Sequence, residues 1–328
     1  MLLPPLRPSL EAAFRDVGAE DPRFRLAAAQ ALGDAPATRH DDARAALHQL
    51  LADPLGPVRA AALDALTDLA HTEDAERARR AVDDPHGEVR QAAVRALAAL
   101  SPEPAEDLVA LADDARPEVR LLALVGLVAH APSFAAARLP GRLADPDPEV
   151  RYAAARGLGE LGEGADALAD SLLSADAELA YAAAWGLGEM GDARGESDLR
   201  AAAISRRDRR RALEATEALG TLAGARGLEE RTRDALAATA AAFFTPSLLR
   251  AACGAALGHA GDARGEEVLR AVLTGWRGSG RDYAAEAAGR LGLVGLRPAI
   301  ERLRRRRRGT REILDEALDA LAAPESPR

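Results

Sequence analysis

One spacing recurs along this chain and leaves few folds open to it. An arginine is followed seven residues later by a leucine at Arg25/Leu32, Arg59/Leu66, Arg90/Leu97, Arg120/Leu127 and Arg151/Leu158. The same phase continues as Ala180/Leu187, Ala212/Leu219, Arg250/Leu257, Ala284/Leu291 and Arg311/Leu318. Successive anchors stand 34, 31, 30, 31, 29, 32, 38, 34 and 27 residues apart. Self-similarity at such a period marks a repeat array. It gives about ten units, regular in the middle of the chain and degenerate toward its C-terminus.

Each unit reads as two helices. The second opens at a DPxxEVR element, seen as DPHGEVR from Asp84 and DPDPEVR from Asp145. Asp there suits an N-cap, and Pro a turn or first-turn place. Val89, Ala92, Ala93, Ala96, Leu97 and Leu100 then recur at steps of three and four, an amphipathic stripe. Glycine after the stripe, as at Gly162 and Gly191, supplies a left-handed stop. The first helix of a unit is read at Asp41–Leu51 and Ala105–Ala112. With no convincing alternating run, the expected class is all-α. A two-helix unit this short cannot cover its own apolar face, so units must stack into an α-solenoid. A right-handed superhelix is expected, with the second helices on its concave face.

The run DPDPEVRYAAARGLGELG from Asp145 to Gly162 resembles the HEAT-like repeat of the phycobilisome-lyase type, strongly from Asp21 to Asp192 and weakly beyond. That resemblance implies an architecture and little chemistry, since such repeats serve lyase subunits, enzymes and many adaptors. A bilin-lyase-like accessory subunit is one role it implies. Among related repeat proteins, deoxyhypusine hydroxylase holds iron with His-Glu dipeptides, and this chain has none.

Composition narrows the function further. Alanine fills 80 of 328 positions, lysine and asparagine are absent, and all 43 basic residues are arginine. Aromatics are 3%, too few for a stacking platform or an aromatic-walled cofactor pocket. The net charge of −9 hides an asymmetry. Residues 1–200 carry 20 Arg against 35 acids, and residues 201–328 carry 23 against 17. The expected organisation is a capping segment over 1–20, regular repeats over 21–205, and degenerate repeats with a basic cap over 206–328. A single cysteine, the lack of a signal-like N-terminus and the lack of a spanning apolar run point to a cytoplasmic, monomeric protein with no membrane contact.

Several motifs carry a bland reading beside a sharp one. The Asp and Arg of each turn, as in Asp84/Arg90 and Asp145/Arg151, recur in unit after unit, so a ladder between repeats is expected rather than a ligand site. Gly157-Leu-Gly159-Glu-Leu-Gly162 and Gly186-Leu-Gly188-Glu-Met-Gly191 match a dinucleotide fingerprint but follow a helix, so they read as helix endings. The six histidines never pair at metal-ligand spacing in sequence, and no cofactor is expected. Cys253 reads as a small buried hydrophobe. Phe243-Phe244-Thr245-Pro246 reads as a hinge or an inserted loop, and Thr274–Arg281, with Trp276, as another loop.

Two surfaces are candidates for binding. Positions two, six and ten after the valine anchor fall on one exposed stripe of the second helix. They are Leu121, Val125 and Ala129 in unit four, Tyr152, Arg156 and Glu160 in unit five, and Tyr181, Trp185 and Glu189 in unit six. Aromatic and arginine anchors rimmed by charge have the composition of a protein-binding hot spot. The same aromatics could instead pack across repeats, and the sequence leaves both readings open. The second surface is basic: Arg206, Arg207, Arg209 and Arg210, with Arg304, Arg305, Arg306, Arg307 and Arg308. Solvated helix ends, an acidic protein partner and nucleic acid are its three readings, in that order. The leading function is a non-enzymatic scaffold holding a protein segment on its concave face.

Overall fold

The computed structural model describes residues 8–275 and 278–322. These contain twenty α-helices, and no strand occurs among the described residues. They pair as α1 (Leu10–Asp16) with α2 (Pro22–Leu32), α3 (His40–Leu50) with α4 (Gly56–Leu69), and α5 (Ala75–Ala81) with α6 (Gly87–Leu100). Next come α7 (Pro104–Leu111) with α8 (Pro117–His130), α9 (Pro132–Arg142) with α10 (Pro148–Leu161), and α11 (Ala165–Ser171) with α12 (Ala177–Glu189). The later pairs are α13 (Glu196–Ala203) with α14 (Arg209–Arg226), α15 (Glu230–Ala241) with α16 (Ser247–His259), α17 (Arg264–Thr274) with α18 (Arg281–Arg290), and α19 (Arg297–Arg305) with α20 (Arg311–Ala320). Every arginine-phase anchor lies in an even-numbered helix, so the ten expected units are ten helix pairs of an all-α, solenoid-class chain.

The chain divides into two compact units, Met1–Gly157 and Leu158–Arg328, with the division inside α10. The compositional change after residue 205 falls within the second. In the first unit, α2, α4, α6 and α8 pack in succession. In the second, α12, α14, α16, α18 and α20 form one row and α13, α15, α17 and α19 another. Leucine from both rows and alanine between them fill the core: Leu32, Leu47, Leu66, Leu97 and Leu127 are sealed in the first unit, and Leu199, Leu219, Leu257 and Ile300 in the second. Small side chains on the packed faces let neighbouring helices approach closely at no loss of helix propensity.

The turn aspartates differ from expectation in one respect. Asp53, Asp84, Asp114 and Asp145 do not cap the helix that follows. Each accepts the backbone N–H two residues on, at 2.9, 2.9, 2.8 and 3.0 Å, closing an Asx turn ahead of the helix. Asp21, Asp147 and Asp176 do cap, by accepting N–H groups of the first helical turn. Asp53, Asp84 and Asp145 turn their remaining acceptor capacity toward the preceding repeat, while Asp114 spends its own on Arg116.

There they meet the anchor arginines. Arg59 donates Nη1 to the Asp53 carbonyl of its own turn at 2.6 Å, and Nε and Nη2 to the Asp84 carboxylate of the next at 2.8 and 2.7 Å. Arg120 repeats this with the carbonyls of Asp114 and Ala115 and with Asp145, at 3.0 and 2.7 Å. Arg25 reaches Asp53 at 2.5 and 3.1 Å. Arg90 is the variant: it takes Glu118 while Arg116 occupies Asp114. Burial raises the Asp145 carboxyl, but the Arg120 fork and the Asp147 N–H outweigh it and hold it below the usual range. Asp53 is lowered chiefly by its bond to Arg25. The expected ladder is therefore present through the first four repeat junctions.

Glycine marks the exits. Gly162, Gly191, Gly261 and Gly292 take φ between +64° and +70° after their helices. Ala70 does the same at φ +57° without being glycine. Thr274–Arg281 is divided between the end of α17, the described turn before α18 and the first residue of α18; its Trp276 lies outside the described residues, as do residues 1–7 of the expected N-terminal cap.

Two outcomes follow. Replacing Asp145 by alanine leaves Arg120, 7% exposed, without its counter-ion, which should cost about 3–5 kcal/mol in urea unfolding at neutral pH. Because the folded carboxyl titrates below its unfolded value, this stabilisation is complete above the unfolded pKa and disappears as pH falls through the lower, folded one. The gap between wild type and Asp145→Ala must therefore close in strong acid. Ala70→Gly should raise stability by about 1 kcal/mol, measured the same way, by relieving a left-handed side chain.

Candidate functional site

The glycine strings have a packing role that sequence alone does not show. A side chain at Gly157 would press on Val128 and Leu139, 2.9 and 3.0 Å from its Cβ position. One at Gly159 would stand 2.5 Å from the Gly186 backbone and 3.0 Å from the Trp185 ring. Gly188 faces Leu199 at 2.6 Å. In the first string, then, one glycine admits the neighbouring leucine, the next lets α12 approach, and the third turns the chain. The helix-ending reading holds, with close packing added to it.

The binding stripe meets varied surroundings. Val125 is 54% exposed on α8, and Leu121 is half-buried above it. On α10, Tyr152 and Arg156 are half-buried and Glu160 is exposed. On α12, Trp185 and Glu189 are half-buried. Tyr181 is 7% exposed: the Arg211 guanidinium lies 4.5 Å over its ring, and Arg211 also pairs with Glu178. Tyr181 therefore offers little of its surface to a partner.

Within the second unit the phase of Trp185 and Glu189 continues. Counting six and ten from the valine place in units seven and eight reaches Glu217, Thr221, Ala255 and His259. With Tyr283, Glu286 and Arg290 of α18 they line a cleft of about 470 Å³ along α14, α16 and α18. The cleft walls strip hydration from Glu217, and the charges of Glu189 and Glu214 add to that, so its carboxyl is raised despite a hydrogen bond donated by the Tyr283 hydroxyl. Burial and the Glu217 charge push the Tyr283 phenol up to about 12. Partial burial, then the Arg290 charge, lowers His259. Arg290 itself sits 3.5 Å from Glu286. With Arg290 beside Glu286, Glu217 is the lining carboxylate without an arginine against it, and the nearby charges of Glu189 and Glu214 favour a cationic group there. Beneath it, Cys253 is fully buried and its thiol is pushed up to about 12 by burial, which makes it a poor nucleophile.

The histidines hold one surprise. His40 and His71, 31 residues apart, meet with Nδ1 of the first 3.0 Å from Nε2 of the second. His40 Nε2 faces the Ala35 carbonyl at 3.1 Å, so it carries the proton and Nδ1 accepts from His71. No group of three or more potential ligands for a metal ion occurs among the described residues.

The arginine runs lie in two places. Arg206, Arg207, Arg209 and Arg210 are exposed around the start of α14, where Arg210 pairs with Glu214 at 2.9 Å. Arg304 and Arg305 close α19, Arg304 bonding Asp315 at 2.9 Å and Arg305 lying 3.9 Å from Glu301. Arg306, Arg307 and Arg308 form the exposed turn after it, with Arg307 at φ +51°. No helix among the described residues is long and apolar enough to cross a membrane.

Comparison with known proteins agrees with this architecture. A model of HEAT repeats matches residues 8–103 and 105–176. Among solved structures, YibA of Escherichia coli is 16% identical, with 90% of this chain and 96% of that one covered and a TM-score of 0.48. An engineered protein is 20% identical, with 96% and 99% covered and a TM-score of 0.42. The CpcE–CpcF complex of phycocyanin lyase from Nostoc is 24% identical, with 67% and 91% covered and a TM-score of 0.41. No curated protein matches the chain. With the HEAT model spanning half of its residues and a helix pair at every anchor, the chain belongs to the HEAT-repeat proteins.

Proposed function

We propose that this HEAT-repeat chain is a non-enzymatic scaffold that holds a segment of a partner protein along the exposed stripe of its even-numbered helices. The observation that carries this reading is the cleft lined by Glu217, His259, Tyr283 and Arg290, which continues the phase of Trp185 and Glu189. A surface with an indole, a phenol and converging carboxylates suits a peptide that offers an apolar side chain and a lysine or arginine. Burial first, and the charges of Glu189 and Glu214 after it, raise Glu217, so a cation seated beside Glu217 would draw that carboxyl back toward its ordinary range. Leu121, Val125, Tyr152 and Arg156 of the Met1–Gly157 unit and Glu160 of the Leu158–Arg328 unit hold the same phase in repeats four and five. Cys253 takes no part, since its thiol is sealed.

Affinity capture from the native lysate, read by mass spectrometry, identifies the partner, and pull-down of that partner by variants tests the surface. Trp185→Ala and Glu217→Gln should each weaken capture about tenfold while helicity stays unchanged. Because Glu217 titrates above the usual carboxylate range, capture by wild type should weaken as the pH falls through that raised value, and Glu217→Gln should lose this dependence. A partner set unchanged by both substitutions would remove the stripe from consideration.

A further inference from the structure

A second surface of the Leu158–Arg328 unit stands apart from the stripe. The turn between α15 and α16 exposes Phe243 and Phe244, 76% and 82% accessible, with their rings edge to face at 5.1 Å. These are two of only five phenylalanines in the chain. Burial of a phenylalanine ring is strongly favourable, so two adjacent exposed rings are a large unused contribution. The turn that presents them is fastened. Thr245, itself buried, donates its hydroxyl to the Thr239 carbonyl at 2.6 Å, and Arg250 donates to the Ala242 carbonyl at 3.0 Å. The rings project from a turn that these two hydrogen bonds close.

Beside them lies a groove of about 390 Å³, walled by Phe243, Phe244, Ile204, Ala238 and Leu249 and lipped by Arg206 and Arg209. Ile204 adds further exposed apolar surface at 49%. The lip is distinctive in its charge. Arg210 and Arg211 are engaged with Glu214 and Glu178, and Asp208 is spent capping α14. Arg206, Arg207 and Arg209 are exposed, and among the described residues no carboxylate lies within ion-pairing distance of them. The apolar floor thus carries two guanidinium groups, Arg206 and Arg209, at its edge, and Arg207 is exposed on the same turn.

We propose that this groove docks a short acidic peptide segment of a partner protein, with one apolar side chain seated between Phe243, Phe244 and Leu249 and flanking Asp or Glu paired with Arg206 and Arg209. The concavity favours a peptide over a lipid surface, because a membrane anchor inserts a projection and leaves no side-chain-sized hollow to fill. The surface is distinct from the even-helix stripe, so Trp185→Ala leaves this activity intact, and either assignment can fail alone.

The test is selection from a displayed library of random peptides of about a dozen residues against the full-length protein, followed by fluorescence anisotropy on the enriched sequences. Enrichment of an apolar residue flanked by Asp or Glu is expected. The affinity of those peptides should fall about tenfold or more in Phe243→Ser/Phe244→Ser and in Arg206→Glu/Arg209→Glu, and should weaken with added salt. Since all four side chains are exposed, circular dichroism should be unchanged. Enrichment of basic or uncharged peptides, or binding indifferent to both double substitutions, would overturn the proposal. So would failure to enrich any peptide, or Phe-dependent binding of phosphatidylserine vesicles, or Phe-dependent dimerisation in sedimentation, in the absence of peptide binding.

Discussion

The repeat-to-repeat clasp of an arginine is the interaction on which the first half of this chain depends. Its guanidinium presents five donors in a rigid fork. In Arg59 and Arg120 one arm takes the carbonyls of the arginine's own turn and the other the carboxylate of the next. One side chain thereby fixes a corner within a repeat and its spacing to the neighbour. Apolar stacking supplies the free energy of association, but leucine against alanine is weakly directional. The charged clasp, largely withdrawn from water, fixes the register at which the layers meet.

Close stacking also needs small residues. Alanine on the packed faces and glycine at the tightest crossing let helices approach within the reach of a short clasp. The 2.5 Å between the Cβ position of Gly159 and the Gly186 backbone excludes any side chain there. A phosphate-binding motif and a helix crossing ask the same thing of glycine, which is close backbone approach, and they produce the same pattern by different physics.

Most of the fold was legible because a repeat states its period many times over. The ten anchors located ten helix pairs even where arginine had become alanine, since Leu187 and Leu219 still mark the buried face. The N-cap reading holds at Asp21 and Asp176 but not at Asp53, Asp84, Asp114 and Asp145, because an Asx turn and an N-cap differ only in which N–H the same side chain meets. The site was less legible where the valine place changes identity. Arg211 stands in that place in unit seven and lies across Tyr181 in place of filling the core. Tyr283 stands there in unit nine and reaches Glu217. Such contacts join degenerate repeats, whose phase the stripe rule does not fix. The His40–His71 meeting was hidden for a related reason, as pairs one repeat apart have no local sequence signature.

Hydrogen exchange read by mass spectrometry on wild type and Arg59→Ala tests the central claim most directly. If the clasp couples neighbours, exchange quickens in α4, in the turn carrying Asp84 and in α6, and the effect fades toward α8. A change confined to α4, or unaltered protection in the Asp84 turn, would contradict it.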